Sequence, residues 1–392
     1  MEERQFYNFY RWVIVLAFMP YMNYAFPFIP QSIGPFNLSG YAWIIMLIVV
    51  MYYLQNKKKS AFPYLFWIPL YAYIFLYLLI DYSFPGLQLT LQYTVPFLVG
   101  VQASYFTYTK EKLSWLYGQL LILSGIIVLM FAFGELFRHG WVPMEAQTPM
   151  LLSVTGAVTM GVFYQTRKIL FLLVFICLFL VPFIAVTRMG IFVFLIIFIF
   201  HFANRGFVGK IMVAVIGLAM VMFVFNSKGF QEKTFYSGSG EVSDLSLNYY
   251  ESGDQMNTSG RSSFMQYYED GIKKSPVFGN GPRADIYVLK DVWGGDHVSE
   301  AHNDYIAVKY NYGNIGLGLL LLGLIATFID VYRMFSKETN PYKQLLQSTV
   351  MTMTLTFMVY MYSDNILKST VLFTDLYFAL IGMVYAKYES SD

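Results

Sequence analysis

The sequence predicts an all-α polytopic membrane protein of about twelve spans, interrupted once by a large polar segment. Three observations predict it. Hydrophobic residues make up 57% of the 392-residue chain and charged residues only 13%, whereas a soluble domain carries about 25% charged residues. Apolar runs long enough to cross a bilayer recur along most of the chain. The exception is the stretch 226–302, which holds Gly, Ser, Asn, Asp, Arg and His but no apolar run of that length.

The candidate spans lie near 10–29, 38–54, 63–80, 87–106, 113–134, 149–165, 169–187, 189–204, 209–225, 303–329, 344–362 and 370–387. Gln88, Gln92 and Gln102 interrupt the fourth, and Pro96 should kink it. The eighth is short and starts just after Arg188. With a cytoplasmic N-terminus, Lys and Arg should gather in the even-numbered connections. Lys57–Lys59, Lys110 and Lys112, Arg167 and Lys168, Arg205 and Lys210, Arg333, Lys337 and Lys343, and Lys387 do so. The short opposite connections hold only Arg138, Arg188 and Lys368. Both termini are then cytoplasmic. The chain divides into 1–225 with nine spans, an extracytoplasmic loop 226–302, and 303–392 with three spans. No small-residue cleavage site follows the first apolar run, which reads as a retained span. Cys177, the single cysteine, excludes an internal disulfide and reads as a small buried residue.

Ionisable groups in or beside spans are costly and mark cavities. Asp81, Glu135, Arg188, His302, Asp304, Lys309, Asp364, Lys368 and Asp375 nearly all fall at the outer ends of spans, which predicts one outward-facing polar cavity. Arg188 sits in the tight turn Thr187-Arg188-Met189-Gly190. There it either snorkels to headgroups or grips a phosphate with paired hydrogen bonds. His302 and Lys309, seven residues apart, are expected on one helix face beside Glu300, Asn303 and Asp304.

Within the loop, 235–259 reads as flexible. Apolar residues at 264, 265, 268 and 272 predict an amphipathic helix lying on the bundle, with Ser259 or Ser262 as cap and Arg261 in its first turn. A helix N-terminus with an adjacent Arg suits phosphate. Phe278-Gly279-Asn280-Gly281-Pro282 is a turn, followed by Arg283; it lacks the Lys-Ser/Thr of a phosphate loop. His297 and His302 have no metal-site spacing, so no metal or cofactor is expected, and no nucleic acid.

The order of Thr187-Arg188, Gly260-Arg261, Pro276-Val277-Phe278-Gly279-Asn280-Gly281, His302-Asn303-Asp304-Tyr305-Ile306 and Gly313-Asn314-Ile315-Gly316 resembles the bacterial O-antigen ligase and Wzy-type polysaccharide polymerase superfamily. The motifs cover about residues 185–320. The chain departs from the family's usual Ser-Arg-Gly turn with Thr187-Arg188-Met189, and from its usual Glu with Asn311. The resemblance implies a GT-C-like membrane glycosyltransferase of the bacterial cytoplasmic membrane that uses a polyprenyl-diphosphate-linked oligosaccharide and needs no metal. It implies that Arg188 and Arg261 hold the diphosphate and that His302 takes the proton of the attacking hydroxyl. Arg283, Glu300, Asn303, Tyr305 and Lys309 would line the cavity.

A polymerase would join repeat units into a capsular, exopolysaccharide or O-antigen chain, with a flippase and a chain-length regulator as partners. A ligase would use the same donor and a different acceptor. A transporter is the reading from another class, but it would place its charges near the midplane on interrupted helices of two related halves, and the sequence has no such symmetry.

Overall fold

The computed structural model describes residues 2–26, 28–30, 32–34, 36–54, 60–137, 147–203, 207–241, 244, 257, 261–288 and 300–389. The helices in chain order are α1 (Glu2–Phe18), α2 (Met22–Ala25), α3 (Leu38–Leu54), α4 (Tyr64–Ile80), α5 (Phe84–Ala103), α6 (Lys110–Phe137), α7 (Thr148–Thr166), α8 (Ile169–Ile184), α9 (Arg188–Ala203), α10 (Phe207–Phe225), α11 (Lys228–Thr234), α12 (Arg261–Lys274), α13 (Asp304–Phe335), α14 (Pro341–Ser363) and α15 (Thr374–Tyr385). Two short ladders accompany them. β1 (Ser32–Ile33) runs antiparallel to β2 (Phe36–Asn37), and β3 (Thr107–Tyr108) runs parallel to β4 (Lys387–Tyr388). The parallel pair ties the end of α5 to the end of α15, and those two helices pack along each other.

Two described helices, α6 and α13, are long and apolar enough to cross a membrane; α3, α4, α8, most of α9 and α15 are apolar but shorter. Burial differs from that of a water-soluble protein in two ways, although the core itself is apolar. Leu65, Leu79 and Ile80 on α4 and Leu129 and Leu136 on α6 are exposed, while α14 buries Gln347, Thr349, Thr352, Thr354 and Thr356. The four threonines donate to carbonyls one turn back, at 2.7–2.8 Å. Where no water is at hand, such an internal carbonyl is the available partner. Small hydroxyl side chains also let helices approach closely, and α14 packs against α7, α9, α13 and α15.

Several elements depart from the sequence expectation. The first helix starts at Glu2, because Phe6, Phe9, Tyr10 and Val13 extend its buried face upstream, and it ends at a 3-10 turn over Pro20. The fourth starts at Phe84, where Ser83 caps it by accepting from Gly86 N at 3.1 Å and Pro85 occupies the first turn. It continues through Pro96 to Ala103. Cys177 is exposed, on the side of α8 away from the buried Phe175, Leu178 and Pro182.

The decisive local feature is in α13. Gly313 has φ 67° and ψ −167°, so the helix is broken there into two pieces. The turn at 276–281 docks into this break. Asn280 N donates to Tyr310 O (2.8 Å), Gly281 N to Asn311 O (3.1 Å), Asn314 N to Pro276 O (2.9 Å) and Ile315 N to Val277 O (3.2 Å). The loop thus satisfies the backbone groups that the break releases. A Cβ on Gly313 would overlap the Val277 carbonyl, and one on Gly279 would come within 2.5 Å of the Asn311 carbonyl and of Gly313 N. From α4, Tyr73 Oη donates to Phe278 O and Tyr312 O, and Tyr77 Oη to Gly279 O, at 3.0–3.2 Å. The two glycine motifs form one backbone junction.

Candidate functional site

The amphipathic helix of the loop forms as α12. Met265 and Tyr268 are fully buried beneath it, and Tyr268 stacks edge-on against Tyr310 of α13 at 5.4 Å. Ser262 lies inside the first turn rather than capping it. Ser259 and the side chain of Arg261 lie outside the described residues, as do most of 235–259 and His297. Arg261 is the first residue of α12.

Arg188 opens α9 after a three-residue connection from α8. Val186 in that connection has φ 49°, which is rare for a β-branched residue. The loop holds the turn from outside: Lys233 Nζ donates to Ala185 O at 3.3 Å, and Arg188 Nη1 donates to Asn257 O at 3.0 Å. Asn257 is itself fixed to the end of α11 through Thr234 O at 2.8 Å.

A second neighbourhood gathers most of the other candidates. Arg283 Nη2 meets Glu300 Oε1 at 2.5 Å, and Arg283 Nη1 meets Asp285 Oδ2 at 3.4 Å. Lys368 Nζ reaches Glu300 Oε1 at 3.0 Å and Asp285 Oδ2 at 3.5 Å. Two cations and two carboxylates thereby close a neutral quartet whose side chains range from fully buried (Asp285) to 24% exposed (Glu300). Asn365 Nδ2 adds a bond to Glu300 Oε2 at 2.6 Å. Burial alone would raise the Glu300 carboxyl, but Lys368 and Arg283 outweigh it and hold it down at about 2. Arg283 and Glu300 are therefore committed to each other and to the last outer turn. The backbone N–H groups of Asn280 and Gly281 are spent on α13, so this turn offers them to no anion.

Asn311 is fully buried and exchanges two 2.9 Å bonds with Asp285, side chain to side chain and side chain to backbone. The carboxylate at this point of the site thus comes from the loop.

The expected face shared by His302 and Lys309 does not form. Asn303 is the N-cap of α13, accepting from Ile306 N at 3.1 Å, so His302 lies before the helix with φ 47°. Its Nδ1 is 3.4 Å from Asp364 Oδ1, and the side chain is 47% exposed. Asn303 Nδ2 also donates to Tyr362 O at 3.0 Å, and Tyr305 Oη to Met358 O at 2.8 Å. Both bind the start of α13 to α14. Lys309 is half-buried one turn into α13.

Asp285 and Asn365 were not singled out in the sequence, and Lys368 and Asp364 were marked only as charges of the outer cavity, with no role. A faint signal existed in Arg283-x-Asp285 and in the charges of the last outer turn. Among the described residues no three His, Cys, Asp or Glu side chains are grouped to hold a metal ion.

The family described as O-antigen ligase matches residues 173–321. That segment of the chain is similar to the O-antigen ligases. It spans the Arg188 turn, α12, the quartet residues Arg283, Asp285 and Glu300, His302, and the Gly313 break, and it bears out the resemblance to the O-antigen ligase and Wzy-type superfamily. The match supports a reading of membrane glycan processing, as ligase or polymerase. No curated protein matches the chain.

Proposed function

We propose that the protein is a multi-spanning membrane glycosyltransferase, GT-C-like with about twelve spans, that polymerises polyprenyl-diphosphate-linked oligosaccharide repeats at the outer face of the cytoplasmic membrane. Both termini would be cytoplasmic and the loop extracytoplasmic. The observation that carries the reading is that the O-antigen ligase segment contains both an Arg fixed in a tight turn and a half-exposed His held in a strained backbone beside a carboxylate.

In this reading Arg188 and Arg261 bind the donor diphosphate. The acceptor hydroxyl oxygen attacks the anomeric carbon, the bond from that carbon to the phosphate oxygen breaks, and polyprenyl diphosphate leaves. The guanidinium groups offset the charge that develops on the departing oxygen. The hydroxyl proton passes to His302 Nε2. Arg283, Glu300, Asn303 and Tyr305 serve the cavity by holding its walls, and Lys309 lies one turn inside its rim. The family description favours a second reading, a ligase that moves the same donor to a different acceptor.

The test is purified protein with a lipid-diphosphate oligosaccharide, with and without a separate lipid acceptor. A ladder of lengths without the second acceptor supports polymerase; a single transfer that requires it supports ligase. Arg188→Ala, Arg261→Ala and His302→Ala should each lower the rate by about 10²–10³-fold. Full-length product from all three variants would overturn the site.

A further inference from the structure

His302 does not stand alone. Residues on both sides of it are bonded to residues on both sides of Asp364. Glu300 Oε2 accepts from Asn365 Nδ2 at 2.6 Å, Asn303 Nδ2 donates to Tyr362 O at 3.0 Å, Asp304 Oδ2 accepts from Leu367 N at 2.9 Å, and Tyr305 Oη donates to Met358 O at 2.8 Å. Four bonds zip 300–305 to 358–367 around one pair of side chains. Inside this zipper the His302 backbone is held at φ 47°. A non-glycine residue keeps such a conformation only where its surroundings over-determine it.

The pair itself is His302 Nδ1 and Asp364 Oδ1 at 3.4 Å. Asp364 caps the C-terminal end of α14, and its Oδ1 also accepts from Asn365 N at 2.8 Å, which fixes the carboxylate. A carboxylate only accepts hydrogen bonds. The imidazole must therefore donate from Nδ1, and in its neutral form Nε2 is then the bare nitrogen. Of the neighbouring acidic groups, Glu300 is taken by Arg283 and Lys368, and Asp304 is fully buried with Oδ2 bound to the Leu367 amide.

We infer that Asp364 is the positioning residue of His302, selecting the Nδ1–H tautomer and aiming Nε2 outward as the proton acceptor. The inference rests on the reading of His302 as the group that takes the hydroxyl proton. After that transfer the imidazolium is flanked by the Asp364 carboxylate, and the proton then leaves from Nε2 to water. The logic is that of a base oriented by a third group.

The experiment is ¹⁵N NMR of [¹⁵N]histidine-labelled protein in nanodiscs, with the His302 signal identified by its loss in His302→Gln. The wild-type protein should show Nδ1 protonated and Nε2 bare. In Asp364→Asn the side-chain amide can donate to Nδ1, and the population should move to the Nε2–H tautomer. The kcat for glycan extension should fall about 10²-fold or more with KM unchanged, and Asp364→Glu should recover part of the rate. A wild-type His302 already protonated on Nε2 overturns the inference without any variant. So does an Asp364→Asn protein with an unchanged His302 signal and an unchanged kcat. Full activity in His302→Gln would instead remove the proton-acceptor role, while the tautomer measurement still reports on the pair.

Discussion

Replacing Gly313 with Ala tests the junction between the loop and α13. The backbone there, at φ 67° and ψ −167°, lies in a region that is essentially glycine-only, and a side chain forced into it costs about 1–3 kcal/mol. The new Cβ would overlap the Val277 carbonyl, so the turn must withdraw. The bonds Asn314 N to Pro276 O and Ile315 N to Val277 O are the first to go, at about 0.5–1.5 kcal/mol each. The sum is about 2–6 kcal/mol. Thermal unfolding in detergent should show a midpoint lowered by about 5 °C or more. Hydrogen exchange should show lost protection at Asn280, Gly281, Asn314 and Ile315. Gly318→Ala is the control: its Cβ meets nothing within 4 Å in the same helix, and the change should be neutral or stabilising by up to about 1 kcal/mol. The reasoning fails if Gly313→Ala unfolds together with Gly318→Ala and keeps all four amides protected.

Two further outcomes follow from the charge quartet and the loop. The Glu300 carboxyl is held at about 2, below its usual value near 4.3, so its contribution of roughly 3 kcal/mol is complete above about pH 4.5 and is lost as pH falls toward 2; wild type should lose its stability advantage over Glu300→Gln across that window, and a constant difference from pH 6 to pH 3 would contradict the quartet. With Cys177→Ala removing the native thiol, a cysteine in place of Ser252 should react with an impermeant maleimide in intact spheroplasts, and protection there would reverse the proposed orientation.

Much of the architecture is legible in the sequence because its signals are local. Apolar runs became helices, and the spacing at 264, 265, 268 and 272 became α12 with Met265 and Tyr268 inward. The abrupt Arg188 turn was readable because only three residues separate two apolar stretches. What escaped was non-local or hidden by a cap. Gly313 was singled out only as part of a short glycine motif, and the docking of 276–281 reveals why the helix breaks there. Glu300 looked free because its partner Lys368 lies 68 residues beyond it, and Arg283 because its partner Glu300 lies 17 residues on. The seven-residue spacing of His302 and Lys309 misled because Asn303 starts the helix after the histidine, and periodicity holds only inside a helix.

The docking of the turn into α13 bears on how such a protein can be rebuilt. A chimera that exchanged only 226–302 for the loop of another family member would carry a foreign turn into a break shaped for Val277 and Gly279. It would also change the carbonyls of Phe278 and Gly279 that Tyr73 and Tyr77 of α4 bind, leaving Tyr73 only Tyr312 O in its native place. The portable unit is discontinuous: the turn at 276–281, the stretch 310–315 and the two tyrosines. Substrate preference grafted through the loop should transfer only when all three pieces travel together.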